Sequence, residues 1–194
     1  TENPPGSALE ERRMSFLGLL ALLLSLRIAI SDLYARRVPN AWLLAGACGA
    51  AVGLLGGQLS GQPLPLADHL LGAAAGLIAL LPFYVVGWMG AGDVKYFAVL
   101  GLLLGLHALL PVWIGARAVA GVHVLCRVGR PRLRASLPLT LQTLHLRALQ
   151  HWHALPAQQA MQRARQGRVG IPFAAYLAAA TGAWVLLQAQ GVSA

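Results

Sequence analysis

"GWMGAGDVKYF", residues 87–97, separates two apolar runs at 70–86 and 97–106. It places Asp93 and Lys95, the only lysine of the chain, between hydrophobic segments. An ionisable group beside hydrocarbon is costly and tends to be functional. The reading of this stretch decides whether its flanks are two membrane helices with a carboxylate at their junction.

Working outward, the 194 residues are 57% hydrophobic and 11% charged. A soluble domain carries about 25% charged residues. Six apolar segments fall at 14–30, 41–57, 70–86, 94–110, 112–126 and 171–187. The reading is an all-α polytopic membrane protein with about six transmembrane helices. Residues 1–13 form a polar tail, and 14–190 form a single membrane-embedded domain that includes the basic loop 127–168. A tight turn near Pro111 is expected to join the fourth and fifth segments.

The formal charge of +9 is carried almost wholly by arginine. Arg36 and Arg37 follow the first segment, Lys95 follows the third, and eight arginines occupy the loop 127–168. The intervening loops have none, so the positive-inside rule places both termini outside. The basic loop then faces the cytoplasm and anionic lipid. No recognition motif supports nucleic-acid binding. Cys48 and Cys126 form no CxxC pair, which excludes a zinc knuckle. Within the loop, "LQTLHLRALQHWHAL" (141–155) gathers leucines and Trp152 on one helical face, as an amphipathic helix at the cytoplasmic interface does. His145, His151 and His153 have no carboxylate or cysteine to complete a metal site, and no metal or cofactor is expected.

Beyond the head, only Asp32, Asp68 and Asp93 are acidic. Asp32 closes the first helix and Asp93 opens the fourth, so the topology puts both at one boundary and Asp68 at the other. Two close carboxylates share a proton, and such a pair can activate water while polarising a carbonyl. Gly90 and Gly92 leave Asp93 accessible, and Lys95 can tune an acid or bind a carbonyl. The plainer alternatives are that Asp93 caps a helix and that Asp32 pairs with Arg36. A transporter or channel subunit using both acids as ion or proton ligands, and a non-catalytic scaffold, are rival functions. Pro39 and Asn40 start the second helix, and Pro172 frames the last one or shapes a substrate groove. Arg27 snorkels, and Arg117 snorkels or pairs with Asp68.

"GAGDVK" resembles the GxGD signature of membrane aspartic proteases, with the lysine of the type IV prepilin peptidases. "SDLYARRVPN" resembles that family's other element, an aspartate followed by a basic residue and Pro-Asn. "GRVGIPFAAYLAAATG" resembles its closing segment. The resemblance implies an aspartic endopeptidase with catalytic Asp32 and Asp93. Such an enzyme removes leaders from type IV prepilins, the Flp type among them, at the cytoplasmic face of the bacterial inner membrane. Lacking the paired CxxC insertion, the chain resembles the short, cleavage-only branch. The arginine-rich loop departs from the family pattern.

Overall fold

The computed structural model describes residues 5–59, 65–135, 138–167 and 171–190. The side chains of 5–15, 132–135, Leu139, Gln142, His145 and His153 lie outside the described part, as do residues 168–170 of the closing segment and the first four residues of the polar tail. Among the described residues every element is helical: α1 Pro5–Ala35, α2 Asn40–Leu59, α3 Leu66–Val85, α4 Ala91–Leu104, α5 Leu106–Ala135, α6 Leu139–Ala154, α7 Pro156–Arg165 and α8 Phe173–Ala189.

The apolar blocks explain this. Spans Phe16–Ala35, Asn40–Leu59, Leu66–Val85 and Leu106–Pro131 are long and apolar enough to cross a membrane. Each must satisfy its backbone polar groups internally, which a helix does. α8 is a shorter apolar helix. The six segments read from the sequence overlap α1 to α5 and α8, although the fourth, 94–110, runs across the junction of α4 and α5.

α4 is the axle of the bundle. It touches α1, α2, α3, α5 and α8, and it buries Val94, Tyr96, Phe97, Leu100 and Leu103. At 14 residues it is about 21 Å long, well under the roughly 30 Å of a hydrocarbon core. α1 buries Leu17, Ala21, Leu24 and Ile28, a run at helical spacing, with Leu17 and Leu24 set against glycines of α2. α3 lies closest to α4 because of "GAAAG", residues 72–76. A Cβ on Gly76 would meet the Phe97 carbonyl at 2.9 Å, and one on Gly101 would strike the carbonyl of Gly72. Small residues at this spacing let two membrane helices approach backbone to backbone.

The α4–α5 junction corrects the expectation of a turn near Pro111. The break is at Gly105, with φ of 83°, and Pro111 lies inside α5. A left-handed residue ends a helix cheaply only where there is no Cβ, whereas a proline near a helix start forfeits a single amide bond. The basic stretch is not a loop in the loose sense either. α5 carries on to Ala135, and α6 and α7 occupy most of the remainder, with α6 falling where the amphipathic helix was read.

Candidate active site

Asp32 stands in the last turn of α1 and is 6% exposed. Its Oδ2 accepts a hydrogen bond from the Ala175 amide at 3.0 Å. Ala175 is the third residue of α8, whose N-cap is Pro172 with no side-chain cap. The first amides of a helix lack partners within it and carry the positive end of its dipole. Asp32 therefore caps α8 from another helix. Pro172 does frame the start of α8, the position the sequence assigned it.

Asp93 is the third residue of α4, and the N-cap is Gly90 in an extended conformation. Asp93 thus does not occupy the N-cap position that the plainer reading gave it. It sits one turn in, with its carboxyl turned back to the Gly90 amide, as the third residue of a capping box does. Asp32 and Asp93 are electrostatic neighbours. The structure brings together at one end of the bundle the two acids that the charge alternation put at one boundary.

The turn between α1 and α2 packs against the first turn of α4. A Cβ on Gly92 would lie 2.8 Å from Cβ of Val38, so glycine lets the first turn of α4 slide under that turn. Asn40 opens α2, and its Oδ1 accepts a 3.5 Å hydrogen bond from Lys95 Nζ. Lys95 and Asn40 also line the polar end of a groove of about 490 Å³, whose apolar walls include Leu43, Ala47, Leu77 and Ala98. Arg36 adopts a left-handed conformation, with φ of 54°. Its guanidinium is lowered from the usual arginine pKa, first by burial and then by the like charge of Arg165, while the charge of Asp32 acts in the opposite sense.

Asp68 lies at the far end, beside Gly105 and 3.4 Å from His107 Nδ1. The proposed pairing of Arg117 with Asp68 is not seen. The Arg117 guanidinium lies 4.9 Å from the Trp113 ring, 5.3 Å from Phe173 and 5.6 Å from Phe83. Because α5 starts at Leu106, Arg117 lies nearly two turns further along its helix than a start at Val112 would put it. Arg27 rests over Trp42 at 5.0 Å.

Three contributors to the site went unread in the sequence. The Ala175 amide is a backbone group and carries no signal of its own. Arg165 is one arginine among eight in its stretch. The Tyr96 hydroxyl donates to Ser25 Oγ at 2.7 Å and joins the two acid-bearing helices; two polar residues in apolar runs were its only trace. Among the described residues no group of three or more His, Cys, Asp or Glu could hold a metal ion.

A family model described as the type IV leader peptidase family matches residues 18–125. That stretch contains both acids and ends inside α5. No curated protein and no solved structure matches the chain.

Proposed function

The chain belongs to the type IV leader peptidase family, and from that premise we propose that it is an aspartic endopeptidase using Asp32 and Asp93. One observation carries the reading: two carboxyl groups, 61 positions apart in sequence, are electrostatic neighbours at adjoining ends of α1 and α4. Membership makes the protein a membrane protease with a leader-bearing, prepilin-type substrate in the general sense. The finer assignment is that it cuts the leader from type IV, Flp-type, prepilins at the cytoplasmic face of the inner membrane.

In this mechanism the pair holds one proton. The ionised carboxylate takes a proton from water as the water oxygen attacks the scissile carbonyl carbon. The protonated carboxyl donates to the carbonyl oxygen as that oxygen gains charge. Collapse of the tetrahedral intermediate returns a proton to the leaving amine and breaks the carbon–nitrogen bond. Gly90 and Gly92 keep the approach to Asp93 narrow in protein and open to substrate. Lys95, held by Asn40 behind Pro39, and Arg36 offer donors to the substrate backbone. Pro172 sets the start of the helix whose amide orients Asp32. The basic stretch 127–168 faces anionic lipid.

The test is cleavage of a leader-bearing precursor by the full chain in proteoliposomes. Asp32→Asn and Asp93→Asn should each lower the rate by about a hundredfold or more while the protein still inserts. A variant that cuts at the wild-type rate excludes the dyad, and leaves a transporter or scaffold role for the two acids.

A further inference from the structure

Both α1 and α7 end in a left-handed residue, Arg36 with φ of 54° and Gln166 with φ of 48°. The two ends face each other, and each lends an arginine to the other. Arg165 Nη2 donates to the Leu33 carbonyl at 2.7 Å, and Arg37 Nη2 donates to Gln166 Oε1 at 2.8 Å. The Leu33 carbonyl is one of the last four of α1, which have no partner in their own helix. A cation at that end also complements the helix dipole.

The position of this tie matters more than its strength. Leu33 follows Asp32 directly. Arg165 grips the Leu33 carbonyl, and Ala175 grips the Asp32 carboxylate. The two grips come from opposite ends of the one connection between α7 and α8. A shift of α7 would thus be passed to the backbone from which the Asp32 side chain projects. Ser31, just ahead, is fixed in the same turn by its Oγ, which donates to the Arg37 carbonyl at 2.9 Å.

We infer that Arg165 is a positioning residue for the proposed cleavage: by fastening the end of α7 to the last turn of α1 it sets the placement of Asp32. The inference rests on the protease reading. The guanidinium acts through Asp32 and touches neither the scissile bond nor water. Displacing one reacting group by about 1 Å is enough to lower a rate a hundredfold.

The experiment measures kcat and KM separately for the full chain in proteoliposomes, with a leader-bearing precursor that the wild type cuts. Arg165→Ala should lower kcat about tenfold to a hundredfold, the range expected when a charged hydrogen bond is lost, with KM within about twofold. Arg165→Lys, which keeps a cationic donor, should recover part of the loss. Arg163→Ala removes the same charge from an exposed position on the same helix and should behave as wild type. If the alanine variant does not insert, Arg165→Gln supplies the comparison, since it keeps a donor and loses the charge. Equal kcat in the Arg165 and Arg163 variants, or a loss confined to KM, overturns the inference. A wild-type protein that cuts no precursor overturns the protease reading instead.

Discussion

The hydroxyl of Tyr96 on α4 is bonded to Ser25 on α1 across 2.7 Å, and both residues are buried. Asp93 lies three residues before Tyr96, and Asp32 lies seven residues after Ser25 on the same face of α1 as Ile28. The bond is thus a strut between the helices that carry the two acids. Tyr96→Phe removes the donor and leaves Ser25 without it in the interior. The expected loss is about 1–2 kcal/mol, read as a lower thermal midpoint in detergent. Cleavage should fall further than the stability loss explains, because the strut also sets the spacing of the dyad.

Gly92 offers a test with a built-in repair. A methyl group there would lie 2.8 Å from Cβ of Val38, a β-branched residue held just ahead of Pro39. Val38 cannot swing aside, so Gly92→Ala should displace either the turn after α1 or the start of α4. Activity should drop about tenfold or more with little change in melting. Adding Val38→Gly removes the Cβ that the methyl would strike and should restore cleavage; a double variant as poor as the single one would disprove the steric account.

The α3–α4 contact predicts stability changes rather than catalytic ones. Gly76→Val would push a side chain into the backbone of Phe97 and Ala98. Overpacking of that kind costs about 1–3 kcal/mol. Gly121→Ala is the control, since nothing lies within 4 Å of an added methyl there. Its thermal midpoint should equal or slightly exceed that of the wild type.

Arg117 joins three helices through aromatic faces, with Phe83 from α3, Trp113 from its own α5 and Phe173 from α8. Arg117→Leu should destabilise by about 1–2 kcal/mol, and Arg117→Lys by less, since a cation remains over the rings. Substituting Asp68 should leave the effect of either change unaltered, because Asp68 is at the other end of the bundle beside His107.

The apolar blocks made the helices legible, and the alternation of arginine between loops put Asp32 and Asp93 at one end. Both signals are coarse and survive errors in boundary. The α4–α5 break was misjudged because Pro111 is the more conspicuous residue, whereas the backbone needed the left-handed freedom of Gly105. That error moved Arg117 to the wrong depth and gave it the wrong partner. "GAAAG" at 72–76 was visible and could have announced the α3–α4 contact. The grip of Ala175 on Asp32, and that of Arg165 on Leu33, were not readable at all. Both join groups more than 130 positions apart and involve a backbone atom on one side, so no residue type encodes them.

The shortness of α4 has a consequence for where water meets the proposed dyad. α4 is ringed by longer helices, so the roughly 9 Å by which its rise falls short of a hydrocarbon core is made up by protein and not by acyl chains. A peptide bond offered to the carboxyl pair would then be wetted in a recess framed by neighbouring helices, with no thinning of the bilayer required.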